Sequence, residues 1–301
     1  TSILRGVGDS TTPLFASVIT IGVGLVVTPV LIGGYFGFPK MGIISPALAT
    51  ILGNLAVLVF LILYLKRKQH PLKLDWALLK NIRHQPQLSK TILKLGVPTG
   101  VQMVTTSVAG LVIVGLVNRY GAEATAAYGA VNQVLNYIQF PALSIAIAAS
   151  VFAAQAIGAG KSDLLNKVTR TALIMNILFT GGLVILAYLF SKYLMALFIT
   201  DPQVVVLGQK LLFIVLWAIL FFGASAIFAS IMRSSGTVTM PMLINIFAIL
   251  CIEVPAAYLF SRWWGLEGIW YAYALAFVSM CILQGLYYQF VWKKKTIETL
   301  I

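Results

Sequence analysis

The sequence predicts an all-α integral membrane protein with eight transmembrane helices, and three observations lead to this fold class. Of the 301 residues, 60% are hydrophobic and only 10% are charged, whereas soluble domains are about half apolar and about a quarter charged. The mean hydropathy is strongly positive, at +0.96. Long uncharged stretches recur along the chain at about the 20 residues that a helix needs to cross a bilayer. These properties argue against the soluble enzyme classes.

Seven uncharged stretches are long enough to cross a membrane, and an eighth is interrupted only by Glu253. In chain order, the eight stretches cover residues 10–39, 41–65, 95–118, 124–160, 171–191, 211–232, 234–261 and 268–292. Asp201-Pro202 is typical of an N-cap followed by proline in the first turn, so the sixth helix should begin near residue 202. Pro141 lies within the fourth stretch and either kinks one long helix or marks a short break.

The distribution of charge predicts how the helices are oriented. A net charge of +13 would suggest a nucleic-acid partner in a soluble chain, but here the basic residues lie in loops between apolar stretches. With the N-terminus inside, the inner loops carry 16 positive charges and the outer loops carry 4. Because cytoplasmic loops are enriched in Lys and Arg, we expect a multi-pass protein of the cell inner (cytoplasmic) membrane. Both ends of the chain should be cytoplasmic, and no nucleic acid should bind.

Residues 66–94 form the one sizeable polar stretch of the sequence. Trp76, Leu78, Leu79 and Ile82 within it suggest a short amphipathic helix on the inner membrane surface, and a flexible basic linker fits equally well. In either case, this cytoplasmic linker separates residues 1–65 from residues 95–301.

The first and last pairs of predicted helices resemble each other. Four positions match at a constant offset of 228, namely Arg5 with Arg233, Gly8 with Gly236, Thr11 with Thr239, and Pro13 with Pro241. Because the last pair completes a group of six helices, we expect the first pair to complete an equivalent group whose first four helices are absent from this sequence. Parallel repeats of this kind occur in transporters, with the substrate path between the two halves.

Four segments, in order along the chain, carry a resemblance to one family. They are Leu4–Pro13, Leu95–Pro98 with Gln102, Ala154–Gly160 and Met232–Gly236. These segments resemble the loop before the fifth helix, the start of the seventh, the end of the eighth and the loop before the eleventh helix of bacterial multidrug and toxic compound extrusion (MATE) transporters. The resemblance implies the C-terminal part of a two-lobe fold of six plus six helices. Residues 1–65 would be the last two helices of the N-terminal lobe, and residues 95–301 would be the six-helix C-terminal lobe.

The resemblance also implies a function. MATE proteins are secondary active transporters that export cationic or amphipathic drugs and toxic compounds by alternating access, driven by inward flow of H⁺ or Na⁺. We therefore expect no enzyme activity, no metal site and no cofactor other than the coupling ion. The expected partners are small-molecule substrates and the lipid bilayer, and the expected oligomeric state is a monomer. We expect the eight helices alone to lack transport activity.

Departures from the family pattern concern the residues that couple ion flow to export. Many bacterial members have Asn and Asp on the fifth helix, where this chain has Gly24 and Thr28. Members with a carboxylate in the C-terminal lobe have Glu where this chain has Thr106, and Asp at the position that we align with Phe222. The usual coupling carboxylates are thus absent from this portion, and Thr28 stays a candidate for lining the substrate cavity.

Glu253 is the one acidic residue deep within a predicted span. It lies 12 residues after Pro241, or about 18 Å at about 1.5 Å per residue, which is near the middle of a hydrocarbon core of about 30 Å. A charge at that depth costs at least about 3 kcal/mol. Cation coupling is one interpretation of Glu253. A structural glutamate that is neutral or paired with Arg262 is the other.

Polar side chains on several predicted helices are candidates for a substrate cavity. Asn132, Asn136 and Gln139 are spaced i, i+4 and i+7, so they share one face of the fourth helix. Polar stripes in membrane helices face other helices or a water-filled cavity. The further candidates are Gln102, Thr105 and Thr106 on the third helix and Asn245 on the seventh. Interhelical hydrogen bonding is the alternative role for all of them.

Two other functions fit fewer features of the sequence. A flippase for lipid-linked oligosaccharide, from the same broad superfamily, should have a cationic cavity for the pyrophosphate. Within the predicted spans only Lys210, near an inferred helix end, is basic. A membrane-embedded enzyme would need a catalytic dyad, and one glutamate without an intramembrane His or Asp gives it little support.

Overall fold

The computed structural model describes residues 2–6, 8–37, 39–68, 86–161 and 163–294. Within these ranges, eight helices are long and apolar enough to cross a membrane, as the sequence predicts. They are α1 (Thr11–Gly33), α2 (Gly42–Arg67), α3 (Pro86–Val117), α4 (Ala122–Gly158), α5 (Leu164–Leu189), α6 (Pro202–Ser234), α7 (Thr239–Trp264) and α8 (Leu266–Lys294). The described residues contain no strand, so the all-α prediction is confirmed.

The chain forms two compact units, residues 1–85 and residues 86–301. In the first unit, α1 packs against α2. In the second unit, α4 and α6 pack along each other, and α8 packs on α6. Helix α4 buries many alanine side chains, and small residues of this kind let the backbones of membrane helices approach closely. Fully or almost fully buried alanines on α4 include Ala127, Ala142, Ala146, Ala149 and Ala153.

Two helices begin well before the residue that the sequence predicts, and a third decides between two predicted alternatives. Helix α5 begins at Leu164, seven residues before the predicted start at 171, which was placed too late because the first two turns carry Lys167 and Arg170. Helix α3 begins at Pro86, nine residues before the predicted start at 95, so part of the predicted linker 66–94 is helical. This polar first part of α3 escaped prediction because it carries lysines that a search for uncharged stretches excludes. Helix α4 runs without interruption through Pro141. The amphipathic helix predicted around Trp76, Leu78, Leu79 and Ile82 lies outside the described residues.

Helix α6 begins where its capping residues predict. Asp201 has extended backbone dihedral angles, and its carboxylate accepts a hydrogen bond from the backbone N–H of Gln203 at 2.8 Å. Pro202 occupies the first turn, where a missing backbone N–H costs nothing. The predicted start near residue 202 is therefore confirmed.

The two copies of the internal sequence repeat form the same backbone turn. Gly8 and Gly236 both have left-handed backbone dihedral angles, with φ of 91° and 79°, which favour glycine because it has no Cβ. Three backbone N–H to carbonyl hydrogen bonds of the first copy recur in the second at the same offset of 228. In the first copy, Gly8 donates to Arg5, Asp9 to Leu4 and Leu14 to Ser10. In the second copy, Gly236 donates to Arg233, Thr237 to Met232 and Met242 to Val238. The repeat is therefore one of local structure as well as of sequence.

Three of the membrane helices contain a π-helical segment, in which the hydrogen bonds span five residues. These segments are Asn176–Thr180 in α5, Ala248–Glu253 in α7 and Tyr287–Val291 in α8. Proline alone does not account for them, because Pro29, Pro98 and Pro141 lie in regular α-helix. Such wide turns occur frequently at functional sites. The segment in α7 ends at Glu253.

Helices α7 and α8 approach each other closely at Gly268. A Cβ atom at this position would overlap the backbone carbonyl group of Phe260. We expect Gly268→Ala to destabilise the unit by about 1–3 kcal/mol, the cost typical of overpacking, and to lower its thermal unfolding temperature in detergent.

The matched control for this variant is Gly285→Ala on the same helix. There the new Cβ would lie 3.5 Å from Cε2 of Phe228, an ordinary van der Waals contact. Because alanine favours helix over glycine by up to about 1 kcal/mol, this variant should unfold at or above the wild-type temperature. Equal unfolding temperatures for Gly268→Ala and wild type would contradict the packing argument.

Asp9 caps the first turn of α1. Its carboxylate accepts hydrogen bonds from the Thr12 hydroxyl at 2.6 Å and from the backbone N–H groups of Thr12 and Thr11 at 3.0 and 3.1 Å. These bonds, above all that from the Thr12 hydroxyl, lower the pKa of Asp9 from its ordinary value to about 2.

We expect Asp9→Ala to speed amide hydrogen exchange in the first turn of α1 by an amount that corresponds to about 1 kcal/mol. Because the pKa is lowered on folding, the stabilisation is complete above the ordinary pKa near 4 and is lost as the pH falls towards 2. Asp163→Ala is the control, since Asp163 precedes α5 without accepting a capping hydrogen bond. If the amide hydrogens of the first turn of α1 exchange as slowly in Asp9→Ala as in wild type at neutral pH, Asp9 does not have this capping role.

Candidate functional site

One cavity of about 370 Å³ lies among the helices of the second unit. Helices α3, α4, α6, α7 and α8 each contribute to its wall. Its polar lining residues are Gln102, Thr106, Asn132, Asn136, Gln139, Ser225, Arg233, Asn245, Glu253 and Tyr273. Its apolar lining residues are Leu135, Leu143, Phe222, Ala226, Ala229, Ile249, Phe277 and Met280. The wall thus combines hydrogen-bonding amides with aromatic and aliphatic surface.

The polar stripe of α4 faces this cavity. Asn132, Asn136 and Gln139 all line it. The three residues that share one face of the helix by their spacing therefore lie on one wall of the cavity. The Asn132 amide nitrogen donates to the carbonyl oxygen of Tyr128 at 3.0 Å. Among the described residues, the amides of Asn136 and Gln139 make no hydrogen bond. These two amides are therefore available to a molecule in the cavity.

Helices α3 and α7 add three of the other predicted residues. Gln102 and Thr106 line the cavity from α3, and Asn245 lines it from α7. The Asn245 amide oxygen also accepts a hydrogen bond from the Gln284 amide nitrogen at 3.3 Å, and Gln284 is fully buried. Asn245 thus joins α7 to α8 as well as facing the cavity.

Two predicted cavity residues lie elsewhere. The hydroxyl of Thr105 donates to the carbonyl oxygen of Val101 at 2.9 Å, within its own helix, and Thr105 is not among the lining residues. Thr28 lies on α1 in the other unit. The structure therefore brings seven of the predicted residues to one cavity, with Glu253 as the seventh.

Glu253 is the one acidic side chain in the wall of this cavity. It is 7% exposed, and its carboxyl group makes no hydrogen bond or ion pair within the described part of the chain. An uncompensated carboxylate in such a place carries a large desolvation cost. The group therefore requires a proton, a metal cation or a cationic ligand to balance its charge.

The predicted alternative of an Arg262 partner for Glu253 is not observed. The Arg262 guanidinium donates instead to the Tyr258 hydroxyl, and it lies 4.5 Å from the centre of the Tyr258 ring. Arg262 and Tyr258 are one helical turn apart, so this pairing is local to the end of α7. Glu253 is left without an arginine partner on its own helix.

A pair of tyrosines joins α4 to α8 beside the cavity. The hydroxyls of Tyr128 and Tyr273 lie 2.9 Å apart, and the Tyr128 ring packs at 5.4 Å from the fully buried Trp270. Tyr273 itself lines the cavity. The sequence does not predict a cavity role for these tyrosines, because an aromatic residue on an apolar helix most often serves ordinary packing.

Arg233 was placed by the sequence analysis in an inner loop, and the structure corrects this. Arg233 lies in the last turn of α6, lines the cavity, and its Nε–H donates to the carbonyl oxygen of Ala229 at 3.2 Å. The signal was available as helical spacing, since Phe222, Ala226, Ala229 and Arg233 recur every three or four residues on one face.

Phe222 and Thr106 also line the cavity. These are the two positions at which the resemblance places carboxylates in other members of the family. The Phe222 ring packs 5.2 Å from the ring of Phe277, and the Thr106 hydroxyl donates to the Gln102 carbonyl oxygen at 3.0 Å. The acidic function of this cavity therefore rests on Glu253 alone.

The arrangement suits reversible binding of an organic cation. Amides supply hydrogen bonds, aromatic rings and Met280 supply apolar contact, and one carboxylate supplies negative charge. The described residues contain no group of three His, Cys, Asp or Glu side chains that would hold a metal.

Comparison with known proteins identifies the family. "Probable multidrug resistance protein YoeA" of Bacillus subtilis is 43% identical over all of this chain and 65% of its own length. "Probable multidrug resistance protein YpnP" of the same organism is 29% identical over 99% of this chain and 65% of its own length. The crystal structure of the Vibrio cholerae MATE transporter VcmN in its bent form shares the fold, with a TM-score of 0.83 at 17% identity over 95% of this chain and 64% of that chain.

The chain thus spans about 65% of the length of the curated relatives that it matches. Residues 98–259, which are more than half of the chain and include most of the cavity wall, match the family described as MatE. This family consists of transporters rather than enzymes. The resemblance inferred from the four sequence segments is therefore confirmed, and the chain belongs to the MatE family.

Proposed function

We propose that the protein carrying this sequence exports amphipathic or cationic small molecules in exchange for H⁺ or Na⁺. The observation that carries the proposal is Glu253, the single acidic side chain in a cavity lined with amides and aromatic rings. The descriptions of the relatives as multidrug resistance proteins support export of drugs.

Exchange follows from the electrostatics of one buried carboxyl group. When Glu253 is ionised, an organic cation in the cavity balances its charge in surroundings of low dielectric constant, where attraction between charges is strong. When a proton or Na⁺ binds the carboxyl group, that attraction disappears and the organic cation is released. Because one carboxylate balances one cation at a time, inward ion movement and outward substrate movement are coupled.

The charge distribution supports an orientation for this cycle. With 16 positive charges on the predicted inner side of the helices and 4 on the outer side, both ends of the chain would lie in the cytoplasm and the protein would lie in the cytoplasmic membrane. Arg233 at the end of α6 would then lie at the inner end of the cavity. Glu253, 14 residues after the start of α7 at Thr239, would lie about 20 Å deeper.

Arg233 is also the observation that favours the flippase alternative, because a pyrophosphate group requires cationic partners. One arginine at the mouth of a cavity that contains a glutamate is a weak site for such an anion. Transport of a lipid-linked pyrophosphate, with no export of organic cations, would support that function over ours.

We expect Glu253→Gln to abolish ion-driven export of ethidium while leaving folding unchanged. Glutamine keeps the size and hydrogen-bonding capacity of the side chain but carries no charge, so it cannot exchange one cation for another. The measurement is ethidium efflux from cells, at matched expression, under separately imposed H⁺ and Na⁺ gradients. The gradient that drives wild-type efflux identifies the coupling ion.

Glu267→Gln is the matched control for this experiment. Glu267 is paired with the Lys210 ammonium group away from the cavity, so its variant should export ethidium at the wild-type rate. If Glu253→Gln also exports at the wild-type rate under both gradients, Glu253 is a structural residue and the coupling proposal is wrong.

We expect Gln139→Leu to raise the half-saturating ethidium concentration by about fivefold, as the loss of one hydrogen bond worth about 1 kcal/mol would do. Gln133→Leu is the control, because Gln133 lies on the same helix but lines a separate surface groove. The measurement is the concentration dependence of efflux. Equal shifts in both variants would show that the face of α4 does not matter and would count against substrate binding by the stripe.

A further inference from the structure

A second concave surface lies on the outside of the helix bundle, between α5 and α8. This groove has a volume of about 640 Å³. It is lined by Asn166, Thr169, Arg170, Leu173, Ile174, Ile177, Phe228, Gly285, Tyr288, Gln289 and Lys293. Its chemistry is divided between a polar, cationic end and an apolar end, so it differs from the cavity that contains Glu253.

The two cations of the groove come from different helices and lie near the same ends of their spans. Arg170 is in the second turn of α5, and Lys293 is in the last turn of α8. The Lys293 ammonium group lies 5.2 Å from the centre of the Tyr288 ring. No acidic residue is among those that line the groove, and neither cation has a carboxylate partner in the described part of the chain.

A buried hydrogen bond fixes the spacing of these two helices. The Thr169 hydroxyl donates to the carbonyl oxygen of Leu165 at 2.7 Å, so it accepts from the Tyr288 hydroxyl, also at 2.7 Å. Thr169 and Tyr288 are 5% and 3% exposed. The bond joins α5 to α8 beside Arg170 and Lys293, and it thereby holds the two cations at one end of the groove.

The remainder of the groove is apolar and open to the bilayer. Ile174 and Ile177 are exposed on α5, while the floor is formed by Phe228 and by Gly285. Because Gly285 has no side chain, the floor stays open beside the Phe228 ring. An acyl chain is the apolar group that a membrane supplies to such a surface.

We propose that this groove binds an acidic phospholipid, with the phosphate group between Arg170 and Lys293 and an acyl chain along the apolar floor. Two cations without a carboxylate partner among the described residues favour an anionic headgroup, and they disfavour phosphatidylcholine because its trimethylammonium group is also positive. A free phosphate ion would leave the apolar floor uncovered. The proposal concerns the outer surface of the bundle and does not depend on the transport role of Glu253.

The test is native mass spectrometry of the purified chain, titrated in detergent with dioleoyl phosphatidylglycerol or with dioleoyl phosphatidylcholine. We expect one phosphatidylglycerol molecule to bind about 25-fold more tightly than phosphatidylcholine, because two basic residues near a phosphate contribute about fivefold each. The double variant Arg170→Gln/Lys293→Gln should lose this preference. Glycerol 3-phosphate, a water-soluble phosphate with at least the headgroup's negative charge but without acyl chains, should not compete at equal concentration.

Lys161→Gln/Lys167→Gln is the matched control. It removes the same charge from the same end of α5, but neither lysine lines the groove, so its preference for phosphatidylglycerol should equal that of wild type. Equal loss in both double variants would show diffuse attraction to acidic lipid and overturn the proposal. Equal binding of the two lipids by wild type would overturn it as well, and competition by glycerol 3-phosphate would assign the site to a soluble phosphate.

Discussion

The rest of this structure depends on one constraint, that hydrocarbon offers no hydrogen bonds to polar groups. Every backbone group within the membrane must be satisfied inside its own helix or by a neighbouring side chain. Where the α-helical hydrogen-bond pattern is interrupted in α5, this chain supplies a hydrogen-bonding side chain. At the π-helical segment of α5, the Asn176 amide donates to the carbonyl oxygen of Leu220 on α6 at 3.1 Å and accepts from the Thr180 hydroxyl at 3.0 Å. Asn176 therefore joins α5 to α6, whereas the Thr105 hydroxyl is satisfied within its own helix.

The same constraint determines where acidic residues are found. Within the described ranges, the acidic residues other than Glu253 lie at or near helix ends, where water and free backbone N–H groups compensate a negative charge; they are Asp9, Glu123, Asp163, Asp201 and Glu267. Glu253 is the exception, since it is buried at the end of a π-helical segment and makes no hydrogen bond to a described residue. An acidic residue so placed has no structural compensation, which is why a dissociable cation is the partner that we propose.

The sequence was sufficient to predict the eight helices and most of the polar residues that line one cavity, because uncharged length and helical spacing are local patterns. Uncharged length located the helices, and spacing of i, i+4 and i+7 put Asn132, Asn136 and Gln139 on one face. Contacts between residues on different helices could not be predicted from such local patterns. The contact between Tyr128 and Tyr273 joins residues 145 positions apart, and no local pattern encodes it. Arg233 was missed because a charge next to a glycine-containing turn was taken to be in solvent.

The two copies of the repeat share their backbone architecture, but only the second copy contains an acidic residue and a π-helical segment within its first helix. The copies share the glycine turn and its backbone hydrogen bonds, and each places a proline on the following helix, Pro29 or Pro255. The residues of α1 that correspond to Glu253, at an offset of 228 or 226, are Leu25 and Val27, and α1 is regular α-helix there. The fold therefore forms its first helix pair without an acid or a π-helical segment at this position. The architecture therefore does not require Glu253, and burying its carboxyl group costs free energy. The presence of Glu253 is better explained by binding of a cation than by folding.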